Sequence, residues 1–165
     1  MSNVLLAIDG PIYGKVIEDF VVNHRWAPAT NFKLFHVSEP LPIMDEWPEA
    51  RLDIEQLKRE QKYLDDVSAR IQKAIPNSNV SYELCRGFPA EEIIAKAGEW
   101  PAQMVIVGSH GRHGFQRFLL GSVSATIMMH APCSVVMIRL PKGAQDNCER
   151  ELASVVAKKE EGAIN

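Results

Sequence analysis

Residues 104–122 hold the groups best placed to do chemistry. An apolar run from Met104 to Val107 is followed at once by Gly108, Gly111 and Gly114, and a second apolar cluster, 115–120, leads into Gly121-Ser122. The first run suits a buried strand and is too short for a helix. A strand, a glycine-rich turn and a helix start together form the layout of an anion cradle. Glycines let backbone amides approach an oxyanion closely, and a helix N-terminus adds unpaired donors and partial positive charge. Ser122 stands where it could cap that helix or bond a phosphate oxygen, and Arg112 adds a cation suited to phosphate. The spacing is neither G-x-x-x-x-G-K-[ST] nor G-x-G-x-x-G. On glycine spacing alone, the stretch reads either as a phosphate loop or as a simple turn.

Other candidates are weaker. Asp9 follows an apolar run and precedes Gly10-Pro11. It could accept a ribose hydroxyl, hold a divalent cation beside phosphates, or merely stabilise a turn. His110 and His113 stand three apart with no acidic neighbour, a poor zinc set, and no metal site is assigned. His36 and His130 read as core-edge and helix-end residues.

These groups need a scaffold, and the periodicities supply one. Apolar runs at Asn3 to Ile8, Phe32 to Val37, Val80 to Cys85, Met104 to Val107 and Ser134 to Ile138 read as five strands. Helical spacing predicts helices from about Ile12 to His24, Glu49 to Ile75, Pro89 to Gly98 and Ser122 to His130. In the longest of these, Leu57, Leu64, Val67, Ile71 and Ala74 make the apolar stripe. Ser38 to Trp47 carries Pro40 and Pro42, with Pro48 directly after, and reads as an extended loop, either a flap over the site or an ordinary connection. Alternating strands and helices imply βαβ units and a mostly parallel sheet, which takes ligands at the carboxyl ends of its strands.

Composition narrows the function classes. The 165 residues are 46% hydrophobic and 24% charged, with a net charge of −3, ordinary for one globular domain. That charge gives no electrostatic reason to bind nucleic acid or an acidic membrane. Three cysteines, Cys85, Cys133 and Cys148, make neither a disulfide framework nor a zinc site and read as free thiols. The N-terminal run lacks the basic start of a signal peptide. The nearly uncharged stretch from Phe118 to Ile138 reads as a helix running into a buried strand rather than a membrane span. A cytoplasmic protein is the expectation.

The spacing Gly108-x2-Gly111-x9-Gly121-Ser122 resembles the G-x2-G-x9-G-[S/T] nucleotide signature of the universal stress protein family. Val-Gly-Ser-His-Gly-Arg at 107–112, Leu-Leu-Gly-Ser-Val-Ser at 119–124 and His-Ala-Pro-Cys-Ser-Val-Val at 130–136 are similar to that family in detail. The likeness implies an α/β fold: a three-layer αβα sandwich with a five-stranded parallel sheet of order 3-2-1-4-5, like that of the adenine nucleotide alpha hydrolases. It places one domain at residues 1–140 and leaves 141–165 as a charged C-terminal extension. The implied ligand is ATP or AMP, with Mg2+ or Mn2+ beside the phosphates. The implied contacts are Ala7, Ile8, Asp9 and Val37 around base and ribose. Val107, Gly108, Ser109, His110, Gly111, Arg112, Gly121, Ser122 and Val123 are implied around the phosphates. Pro11 departs from the family's usual serine and removes a hydroxyl and a backbone donor near the base or ribose. The likeness also implies a homodimer through the fifth strand, Cys133 to Ile138, whose edge would otherwise be exposed.

No nucleophile elbow, kinase set or P-loop lysine is present. The sequence thus favours a nucleotide-binding regulator or sensor of the stress response. A slow ATPase or nucleotide-handling enzyme and a nucleotide-independent interaction module are the alternatives.

Overall fold

Five short apolar runs become strands because their side chains divide between two interiors. The structure, a computed structural model, describes residues 2–38, 49–109 and 121–139. Strands β1 (Asn3–Ala7), β2 (Asn31–Ser38), β3 (Asn79–Arg86), β4 (Met104–Gly108) and β5 (Ser134–Ile138) pair in parallel in the order β3-β2-β1-β4-β5. Helices α1 (Gly10–Asn23), α2 (Glu49–Ala74), α3 (Pro89–Glu99) and α4 (Ser122–His130) connect them. Val4, Leu6, Phe32, Leu34 and Ile106 pack with Ile17 and Val21 of α1 and Leu64, Val67 and Ile71 of α2. Leu5, Ala7, Phe35, Val37, Val105 and Val107 pack on the opposite face with Ile93 and Ala97 of α3 and Ile127 of α4. Right-handed crossovers account for this division: the chain winds outward through β3, then doubles back past β1 to β4. The reversal falls between β1 and β4, where the register pairs Ala7 with Val107.

Each expected element is present, with small shifts at the ends. The helix expected from Ile12 begins at Gly10, whose φ of +76° turns the chain out of the sheet, and Pro11 suits the first helical turn. Ala74, placed on the apolar stripe of α2, is exposed. At this end Ile71 is buried in the core and Ile75 packs against it, so the apolar face passes through 71 and 75 rather than 74. The expected flap from Ser38 to Trp47 lies outside the described residues beyond Ser38, as does the extension from 141. The apolar stretch ending at Ile138 divides into α4 and β5. Among the described residues, no helix is long and apolar enough to cross a membrane.

Polar interactions fasten the layers. Glu18 of α1 is buried and bonds Arg70 of α2 twice, at 2.8 and 3.0 Å. At the amino-terminal ends of the strands, Asn31 donates to Asn3 at 2.8 Å, and Asn79 donates to Asn31 at 2.9 Å. The register aligns these three residues across β1, β2 and β3. The Asn3 side chain in turn donates to the Trp100 carbonyl at 3.1 Å, and its backbone amide donates to the Gln103 side-chain oxygen at 2.6 Å.

Candidate functional site

The expected site residues that are described gather at the carboxyl ends of β1, β2 and β4. Ala7, Ile8, Val37 and Val107 are buried there. Their side chains belong to the two cores, so only main-chain groups of these residues can meet a ligand. The Ile8 amide donates to the Phe35 carbonyl at 3.0 Å, extending the β1–β2 ladder by one residue. Asp9 occupies the N-cap position of α1 yet makes no side-chain cap. The turn-stabilising role that the sequence left open is therefore not a helix cap.

Gly108 has a packing reason to be glycine. A Cβ there would come within 2.6 Å of the Tyr13 ring of α1. The small residue lets α1 close over the end of β4. Its neighbour Ser109 donates its amide to the Ile138 carbonyl at 2.8 Å, and its carbonyl accepts the Gly121 amide at 3.0 Å. Two donors expected in the phosphate cradle, at Ser109 and Gly121, are thus engaged by protein carbonyls. The bond between them also ties together the two ends of the intervening segment. His110, Gly111 and Arg112 lie in that segment, outside the described residues.

Helix α4 starts at Ser122, as the spacing predicts. Gly121, not Ser122, is its N-cap, and no side chain caps it. Ser122 is the first helical residue and is exposed. No protein acceptor among the described residues meets the amides of Ser122, Val123 and Ser124, so this end keeps the unpaired donors and positive dipole end of a helix start. The Ser124 hydroxyl donates to the Gly108 carbonyl at 2.6 Å in a buried bond that pins α4 to β4. Sequence reading passed over Ser124, the second of two serines in α4, because nothing local marks which serine faces the strand.

A second polar group lies beside β2. His36 is buried, as its core-edge reading required, and Glu60 of α2 faces it at 3.6 Å. The Tyr63 hydroxyl donates to the Gly10 carbonyl at 3.3 Å. Burial, and then the charge of Glu18, push the Tyr63 phenol up to about 12 from its ordinary 10.0, so it stays a donor at neutral pH. Cys85 and Cys133 are half-buried free thiols, and burial raises both above the ordinary thiol range. Among the described residues, no three His, Cys, Asp or Glu side chains form a cluster able to hold a metal ion.

The geometry therefore offers an uncapped helix start beside a strand switch point, with an acid at the next turn. Comparison with known proteins adds to it. The model of the universal stress protein family matches residues 1–139. Universal stress protein MJ0531 of Methanocaldococcus jannaschii is 37% identical over 60 residues, 36% of this chain and 35% of that protein. A universal stress protein of Mycolicibacterium smegmatis is 31% identical over 140 residues, 82% of this chain and 45% of that protein. The chain thus spans about a third to just under half of the length of these two curated relatives. A universal stress protein family structure from Arabidopsis thaliana with AMP bound shares the fold. Its TM-score is 0.62 at 18% identity, covering 86% of this chain and 93% of that one.

Proposed function

The chain belongs to the universal stress protein family, and from that premise we propose that it binds an adenine nucleotide at the carboxyl ends of β1 and β4. The observation that carries this reading is the uncapped start of α4. Gly121 offers no side-chain acceptor there, and the amides of Ser122 and Val123 point to no protein acceptor among the described residues. Such a helix start receives phosphate well. The likeness to the Arabidopsis thaliana protein that carries AMP supports the same ligand.

In this reading the phosphates lie on Ser122 and Val123, with Gly111 and Arg112 of the intervening loop. Asp9 accepts a ribose hydroxyl, and the base meets main-chain groups near Val37. Because the amides of Ser109 and Gly121 are already bonded to the protein, they shape the loop rather than hold phosphate. With ATP, Mg2+ or Mn2+ would sit beside the phosphates on the Asp9 side. The protein acts as a nucleotide-binding regulator or sensor in the cytoplasm, as a homodimer through β5. Among the described residues that strand pairs only with β4 and stands at the sheet's edge, and such edges are ordinarily covered.

Mass spectrometry of the small molecules released on denaturation, with calorimetric titration of AMP and Mg·ATP, tests the ligand. Neither a released adenine nucleotide nor any heat of binding would overturn the reading. Sustained phosphate release from Mg·ATP that is abolished by Asp9→Ala would make the protein a hydrolase instead. Light scattering at micromolar protein tests the dimer, and a monomer there defeats that part.

A further inference from the structure

Beside β2 lies a buried polar pair that the nucleotide reading does not use. Strand alternation puts His36 on the same face as Phe32 and Leu34, where an apolar residue would fit the interior. An imidazole and a carboxylate buried there instead cost free energy unless their hydrogen bonds are satisfied. His36 is 4% exposed, and its Nδ1 lies 2.6 Å from the Ile8 carbonyl oxygen. A carbonyl only accepts, so Nδ1 carries a proton and donates it. On the other side of the ring, Nε2 faces Glu60 Oε1 at 3.6 Å. That same oxygen receives the Gln56 amide at 2.9 Å and the Ser38 hydroxyl at 3.5 Å. Glu60 Oε2 is buried without a hydrogen-bond partner among the described residues. The ring is therefore anchored at Nδ1, with the Glu60 carboxylate facing its other nitrogen.

The Ile8 carbonyl is half of a peptide group whose other half is the Asp9 amide. The preceding peptide is already fixed, because the Ile8 amide donates to Phe35. His36 thus makes the last anchor before the chain leaves the sheet. From α2, Tyr63 takes hold of a carbonyl two residues further on, that of Gly10. We propose that His36 and Glu60 are positioning residues for the nucleotide site: acting through the Ile8 carbonyl, they fix the peptide that presents Asp9 and so set how tightly AMP is held. This rests on the function proposed above. Neither side chain touches the ligand. They act as outer groups that orient a binding residue, the arrangement that commonly governs affinity by tenfold or more.

The test titrates AMP against the wild-type chain, His36→Leu, His36→Asn and Glu60→Gln. It also records the Asp9 amide resonance of each without ligand. The asparagine amide nitrogen can take the place of Nδ1, whereas leucine cannot. His36→Leu should weaken AMP about tenfold and shift the Asp9 amide. His36→Asn should restore both nearly to wild type, and Glu60→Gln should change both by a smaller factor. A pair that only fills space predicts no rescue by asparagine over leucine, and equal affinities with an unmoved Asp9 amide overturn the proposal. If the wild-type chain takes up no AMP, the functional reading falls and the amide decides alone: unmoved in His36→Leu, it overturns the positioning role. Should His36→Leu fail to fold, Glu60→Gln carries the test, and no change in affinity or amide overturns the proposal.

Discussion

At the amino-terminal ends of the strands, side chains bond to one another: Asn79 to Asn31, Asn31 to Asn3, and Asn3 to the Trp100 carbonyl. At the carboxyl ends the chain turns at Gly10 with φ +76°, passes Gly108 tight against Tyr13, and opens α4 on a glycine with no cap. The first end is closed by amide side chains that carry both a donor and an acceptor, so each link satisfies the next. The second leaves main-chain donors facing outward. On the proposed function, one sheet therefore separates stability from binding along its own strands. Substitutions at the two ends should separate in the same way.

The largest effect falls at the closed end. Asn31→Ala removes both links of the ladder and should cost about 1–2 kcal/mol in chemical denaturation, with AMP affinity unchanged. A comparable loss of affinity would show that the two ends are coupled. At the open end, Ser122→Pro should do the reverse. Gly121 sits at φ −58° and ψ 143°, compatible with a following proline, and proline suits the first helical position. Stability should hold while AMP affinity falls about tenfold, the worth of one charge-assisted hydrogen bond. Ser122→Ala, which keeps the amide, separates that loss from loss of the hydroxyl. If Ser122→Pro binds as wild type does, the phosphates do not rest on that amide.

Ser124→Ala lies between the two regimes. It frees the buried Gly108 carbonyl and should lower stability by about 1 kcal/mol, with a smaller loss of AMP affinity as α4 loosens. Thermal denaturation with and without AMP measures both. The smallest effect is a pH dependence. The folded state holds the Tyr63 phenol protonated up to about 12, against 10.0 ordinarily. Its contribution to stability is therefore complete below pH 10 and is lost as pH rises through the folded value. Tyr63→Phe should flatten that alkaline limb in pH-dependent denaturation, and an unchanged limb assigns it to other groups.

The sequence showed the strands because central parallel strands read as unbroken apolar runs, and β1 and β4 are buried on both faces. It showed the switch-point loop through glycine spacing. The strand order came from family resemblance, since local periodicity carries no information about which strands are neighbours. By type Ser122 suits either a helix cap or a bond to a phosphate oxygen, and Gly121 fills the capping place. Glycine gives up the side-chain acceptor and leaves the donors open. Glu60 and His36 are far apart in the chain, and a lone histidine in an apolar strand signals nothing about its partner. The asparagine ladder did leave a trace: Asn3, Asn31 and Asn79 each occupy the first position of a strand. It becomes meaningful only once those strands are known to lie side by side in register.

The bond from the Gly121 amide to the Ser109 carbonyl has an evolutionary meaning. It closes the chain on itself at the base of the segment between them, so the sheet and α4 are already joined without that segment. On the proposed function, a descendant could lengthen, shorten or rewrite it, and so trade one guest molecule for another, while the host architecture registers no change.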